Sequence, residues 1–494
     1  MYHMRRIYSV VLLICCVLTS CSNWLDVMPK TSIKEENLFE SEAGFKDALT
    51  GFYLKMGTES LYAKELTFGY MDMLARAYTE MPNIINPTVL YSYDGDYKGM
   101  KDGFFRDMYN IIANINNFLS FLEKTGTDVV KTGDYRQIME GEALGLRAFL
   151  HFDLLRMFGP VYSENPQALS IPYRFTFDNE ATGILPAETV VDNILKDLHR
   201  ADSLLASTDT KLFHQAGKTD DVFLAMRQLR MNTYAVKAML ARVYCYKGDA
   251  ESKALAFKYA EEVVKCGEFT LCEDVTTKDR ILFSEHIFSL HVYELDKIVR
   301  AEFDKSPETD ILSLNPSMFE KWFERTTGGN TDFRCKGVVF KDVKPNVGEV
   351  KKVLNKYDQS GYEGMYSGAE IIPLIRLPEM YYIMAECDPN SYNSASYINT
   401  IRLSRQIPSS DAIDGNNPNY DKLDNREGLN NGQTMRINEL MKEYRKEFYG
   451  EGQLFYFYKR FNYRTFLNAA YSDMRGKYVF TLPEDEIIFG NVNK

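Results

Sequence analysis

The stretch YAVKAMLARVYCY at residues 234–246 places Val236, Leu240, Val243 and Tyr244 on one face at helical spacing, and Lys247-Gly248-Asp249 stops the run. A second helical run follows at once, with Ala256, Ala260 and Val263 as a narrow stripe of small residues. Small residues let helix axes approach closely, so the two runs predict a packed antiparallel pair. Similar pairs recur at 141–157 with 187–205 and at 374–387 with 394–405. One pair cannot bury both of its faces, so pairs must stack on one another.

Leu240-Ala241, with Tyr244 three residues later, is similar to the Leu-Gly-x-x-Tyr core of a tetratricopeptide (TPR) repeat, although the turn is longer. The expected fold is therefore mainly α: a TPR-like helical-repeat scaffold with long loop-rich insertions and few short strands. Segments 81–102, 271–296 and 326–366 lack helical period and interrupt the pairs. Within the second, EHIFSLHVYELD alternates like a strand and puts His286 and His291 on opposite faces. Loops carried on a rigid scaffold are where binding surfaces are commonly built.

Arg5 and Arg6 precede the apolar run 7–18, which is shorter than the roughly 20 residues of a spanning helix and is arranged like a secretory signal. Leu18-Thr19-Ser20-Cys21 then resembles a bacterial lipobox. The reading is a lipoprotein signal peptide at 1–20, lipidation of Cys21, and a single domain over 21–494. The formal net charge of −11 argues against nucleic acid or anionic lipid as a partner. Beyond Cys21, the cysteines Cys245, Cys266, Cys272, Cys335 and Cys387 are odd in number and scattered, which is no disulfide framework and no CxxC metal pair.

Catalytic readings find little support. In GEALGLRAFLHFDLLRMFGP (141–160), Leu144, Ala148, Phe152 and Leu155 form the core face, and no acid is forced beside His151. No HExxH helix, Gly-x-Ser-x-Gly elbow or phosphate-binding glycine loop is present. Glu379 with Glu386 and Glu447 with Glu451 are paired carboxylates of the kind glycosidases use, but on amphipathic helices they read as solvated or ion-paired. Asp94, Asp96 and Gly99 begin like a calcium loop, yet Lys98 and Phe105 stand at two ligand positions. No metal or cofactor is predicted; an irregular calcium site here or around Asp421, Asp424 and Glu427 is the alternative.

With Phe158-Gly159-Pro160-Val161-Tyr162, the block GEALGLRAFLHFDLLRMFGPVY resembles the signature of the SusD/RagB family of outer-membrane lipoproteins. Further blocks follow in the family's order: SNWLDV with Pro29, KAMLARVYCYKGD (237–249), IPLIRLPEMYYIMAE (372–386), INTIRLSR (398–405), KEYRKEFYGEGQLFYFYKR (442–460) and LPEDEIIFGN (482–491). Gln453 and Leu454 depart from the family's Arg-Trp. The resemblance implies a TPR-like lipoprotein without enzymatic activity. It would lie on the outer membrane, facing the exterior, over a SusC-like TonB-dependent transporter, and capture a glycan or oligosaccharide. Capture of peptides, or a scaffold that binds only proteins, are the alternatives.

The expected ligand site is VLYSYDGDYKG (89–99). Tyr91, Tyr93 and Tyr97 lie in a Gly-rich segment beside Asp94 and Asp96, where rings can cover apolar sugar faces and carboxylates can accept from hydroxyls. Tyr91 and Tyr93 share a face if the chain is extended there. Trp322 is the rival, but Phe319, Trp322 and Phe323 at helical spacing favour burial.

Overall fold

The computed structural model describes residues 35–209, 221–273, 279–305, 310–325, 329–337, 339–345, 348–358 and 370–490. Cys21 and the signal segment lie outside the described residues. The principal helices are α1 (Glu42–Met56), α2 (Lys98–Lys124), α3 (Tyr135–Phe158), α4 (Ala187–Leu205) and α5 (Thr233–Lys247). They continue with α6 (Ala250–Lys265), α7 (Leu377–Cys387), α8 (Ser391–Ser404), α9 (Met435–Glu447) and α10 (Leu454–Arg460). From α1 to α8 each helix packs on the next in chain order, the stacking expected of TPR-like pairs, and α7 also contacts α5 and α9.

Local chemistry sets the α5–α6 pair. The Asn232 side chain accepts from the backbone N–H groups of Tyr234 and Ala235, satisfying donors at the start of α5. Gly248 ends α5 at φ 78°, a left-handed cap that side chains resist, and Asp249 caps α6 by accepting from Ser252 N. Ala241, Ala256 and Ala260 are fully buried, so the small-residue stripe is in the helix interface. In α3, a Cβ on Gly141 would lie 2.6 Å from Leu205 Cγ on α4. Glycine is thus what allows α3 and α4 to meet.

Three two-stranded antiparallel sheets account for the named strands: β1 (Leu169–Pro172) with β2 (Ile184–Pro186), β3 (His286–His291) with β6 (Ile371–Arg376), and β4 (Phe340–Val343) with β5 (Lys351–Leu354). The 286–291 stretch is the strand its alternation predicts, with His286 buried and His291 exposed. Residues 374–376, expected to be helical, are instead in β6. Pairing with β3 satisfies their backbone, and Pro378 then fits the first turn of α7.

A charged cluster lies inside the fold. Arg376 donates to Glu285, Glu447 and Glu451; Arg405 donates to Glu285 and Glu447; Arg334 donates to Asp332, Glu443 and Glu447. The paired arginines and acids lie up to 120 positions apart in sequence, and the cluster knits β6, the end of α8 and α9 together.

Candidate functional site

The polar residues of α3 are structural. Arg147 makes a bidentate bond to Asp197 on α4 at 2.7 Å for each arm, and Asp153 accepts from Tyr62 Oη at 2.8 Å. His151 is buried and stacked on Tyr173 with ring centroids 3.8 Å apart. Its Nε2 accepts from Arg174 N at 3.1 Å, so Nδ1 carries the proton and donates to Arg147 O at 2.9 Å. Burial brings the imidazole pKa down to about 3, despite the carbonyl that favours the charged form. A base so placed has no free lone pair.

The paired carboxylates are also held by cations. Glu379 takes both arms of Arg242 at 2.6 Å, and Glu386 is clamped by Arg460. Burial alone would raise the Glu447 carboxyl, but Arg405, Arg376 and Arg334 hold it well below the usual carboxylate range. A glycosidase general acid needs a carboxyl raised toward neutrality and facing a substrate. Asp421 pairs with Arg436, Asp424 with Arg426, and Lys101 Nζ lies 3.6 Å from Asp94, so these acids face protein cations.

The expected three-tyrosine platform is corrected. Residues Pro87–Tyr91 form a 3-10 turn and α2 begins at Lys98, so the segment is not extended. Tyr91 and Tyr93 are only 7% and 6% exposed. Their hydroxyls donate to Leu74 O at 2.6 Å and Lys477 O at 2.7 Å, and Tyr93 packs on Phe480. A ring that buries its face and finds a backbone acceptor is stabilised inside the fold. Tyr97 is half-buried with one face stacked on Tyr70 at 4.8 Å, while Asp94 and Asp96 are exposed. Trp322 is fully buried and donates to Arg445 O, as its spacing predicts.

This segment lies against the chain's last described residues. Asp94 accepts from Thr481 Oγ1 at 2.6 Å, and Lys98 pairs with Glu484 at 3.0 Å. About two turns further along α2 these two strips of chain part around a cleft of about 540 Å³, lined by Phe105, Arg106, Tyr109, Arg174, Glu486 and Phe489 among others. That volume falls in the roughly 300–1,000 Å³ range of small-molecule sites. Phe105 and Tyr109 pack with centroids 4.6 Å apart, and Phe489 is 74% exposed on the helix Glu484–Phe489.

Arg174 is engaged with Glu180 O and Asp178 O. Glu486 is partly buried and, among the described residues, no hydrogen bond or ion pair holds its carboxylate; burial raises its pKa and Arg174 opposes the rise. The cleft therefore combines the exposed ring of Phe489 and the part-buried ring of Tyr109 with an unpaired acceptor, while Phe105, itself buried, backs its wall. A wider cleft of about 810 Å³ between α6, α7 and α9 differs in this respect. Its Arg436 is committed to Asp421 at 2.6 Å and Asp388 O at 2.5 Å, and its Glu386 to Arg460.

Of the site residues singled out from the sequence, Asp94 meets Thr481 next to this cleft, whereas Phe105, Arg106, Tyr109, Glu486 and Phe489, which line it, were not singled out. The available signal was Ile487-Ile488-Phe489, an apolar triplet on a helix too short to bury it.

Residues 23–245 match the family model described as "Starch-binding associating with outer membrane", and residues 341–488 match the model of the SusD family. SusD-like protein P2 of Formosa agariphila is 26% identical over 260 residues, which is 50% of this chain but only 44% of that relative. The match thus spans less than half of its length. A SusD superfamily crystal structure from Bacteroides thetaiotaomicron superposes with a TM-score of 0.68 at 20% identity, covering 91% of this chain and 98% of the other. A SusD-like carbohydrate binding protein from Bacteroides vulgatus gives a TM-score of 0.66 at 15% identity, covering 92% and 97%.

Proposed function

The chain belongs to the SusD/RagB family, and on that premise we propose that it captures a glycan at the outer membrane and delivers it to a SusC-like TonB-dependent transporter, without doing chemistry on it. Lipidation at Cys21 would anchor it. The family model carries an association with starch and the outer membrane, and one structural neighbour is named as carbohydrate binding. No helix among the described residues is long and apolar enough to cross a membrane.

One observation carries the choice of ligand class: the 540 Å³ cleft sets exposed aromatic surface beside an unpaired carboxylate and the exposed Arg106. Pyranose rings offer apolar C–H faces to aromatic rings, and their hydroxyls donate to carboxylates. Tyr97, Asp94 and Asp96, at and just before the start of α2, are the proposed extension for a longer chain. Isothermal titration of the full mature protein with maltoheptaose, with a panel of other oligosaccharides and with a mixed peptide digest tests the reading. Saturable binding to at least one oligosaccharide is expected. Binding of peptides alone would transfer the scaffold to peptide capture.

A further inference from the structure

Cys245, in the last turn of α5, and Cys387, the final residue of α7, bring their sulfurs to 3.8 Å across 142 residues of sequence. Both are buried, 4% and 8% exposed. Arg460 of α10 closes the end of this helix interface: its Nη1 donates to Cys245 O at 3.0 Å, to Cys245 Sγ at 3.3 Å and to Glu386 at 2.7 Å. The two thiols thus touch each other in a site whose other contacts are fixed by a guanidinium.

We propose that Cys245 and Cys387 are an oxidisable pair that closes to a disulfide once the chain leaves the cytoplasm. This rests on export, which the family's outer-membrane association supports. Disulfides persist in such oxidising compartments and are rare where thiols are kept reduced. Arg460 Nη1 lies against the Cys245 sulfur, and the Cys387 thiol is pushed up by its bond to Cys245, by burial and by Glu386.

Cys245 precedes Cys387 by 142 positions, so it leaves the cytoplasm first and attacks first. Its thiolate displaces one thiolate from a protein or low-molecular-weight disulfide, forming a mixed disulfide. The Cys387 thiolate then attacks the Cys245 sulfur and releases the second thiolate. The two cysteine protons pass to water, and the two electrons end on the oxidant's sulfurs. Because both sulfurs are covered in the fold, the exchange takes place before the end of α7 docks on α5. The bond would link the segment matched by the first family model to that matched by the second.

Isolation of the exported chain, acid quenching, alkylation under denaturing conditions and non-reducing peptide mapping test the proposal. The expected map contains one linked peptide pair holding Cys245 and Cys387, while Cys266, Cys272 and Cys335 are alkylated. In parallel, purified full-length protein is unfolded in denaturant and refolded in glutathione buffers of graded poise. There the pair should oxidise as a single two-electron step, and Cys245→Ser, folded by circular dichroism, should leave Cys387 alkylatable at every poise. Exported protein with both thiols free, or a purified chain that stays reduced in the most oxidising buffer, overturns the proposal. A chain retained in the cytoplasm that nevertheless oxidises in the buffers overturns the export reading and keeps the pair.

Discussion

Arg376 Nη1 donates to Glu447 Oε1 at 2.8 Å although 71 positions separate the two residues, and the same carboxylate also accepts from Arg405 and Arg334. Three guanidiniums on one buried acid would repel one another without Glu285, Glu443, Glu451 and Asp332 on their outer sides. Removing one partner of such a cluster leaves charge uncompensated in the interior, at a cost of about 3–5 kcal/mol. Glu447→Gln keeps the shape and deletes the charge, so it should lower unfolding free energy by that order in urea titrations. A variant as stable as the parent would mean the cluster is solvated in solution.

The helix pair gives a packing test. Ala241 is fully buried where α5 meets its neighbours, so Ala241→Leu should overpack the interface and cost about 1–3 kcal/mol. Thermal unfolding read by circular dichroism checks it; an unchanged midpoint would put this face on the surface.

His151 makes stability depend on pH. Its folded pKa of about 3 lies below the ordinary histidine value of 6.5, so the unfolded chain binds the proton first. Its contribution is complete above pH 6.5 and is lost as pH falls from 6.5 toward 3, by about 1.4 kcal/mol per unit at most. The geometry agrees, because a proton on Nε2 would face the N–H of Arg174. In His151→Gln the slope of unfolding free energy against pH in this window should be shallower than in the parent; parallel curves would show that another group supplies it.

The cleft is tested by substitutions on the surface. Phe489→Ala removes an exposed ring, and burying such a ring against ligand is worth roughly 1.5–3 kcal/mol, which is about tenfold or more in affinity. Glu486→Gln keeps an acceptor but loses the charge and should weaken hydroxyl donation by a smaller factor. Calorimetry against the best oligosaccharide of the panel decides. If both variants and Tyr97→Ala bind like the parent, the glycan sits elsewhere on the scaffold.

Anchoring has its own test. Cys21→Ala should move the protein from the membrane fraction to the soluble fraction, and the parent should incorporate labelled palmitate. Continued outer-membrane fractionation of the variant, with no palmitate in the parent, would remove the lipoprotein reading.

The sequence by itself determined three helix pairs, α3 with α4, α5 with α6 and α7 with α8, but not the long helix α2. Asn232, Gly248 and Asp249 are punctuation that acts within a few residues, and the alanine stripe of α6 needs only one neighbouring helix to be read. Periodicity also recovered the strand at 286–291, the burial of Trp322 and the packed state of His151. Tertiary structure decided whatever depends on which distant segments meet. Tyr91 and Tyr93 looked like an open platform because alternation and Gly content are local signals; their burial comes from Leu74, Lys477 and Phe480, up to 387 positions away for this segment. Glu447 read as a solvated or ion-paired helix carboxylate, and only the fold supplied Arg376 and Arg405 as its partners. The 105–109 turn of α2 became a cleft wall only because the C-terminal helix lies across from it. Local capping and periodicity are fixed by bonds within one turn, whereas a cleft or a buried charge cluster exists only as a relation between surfaces that the chain joins late.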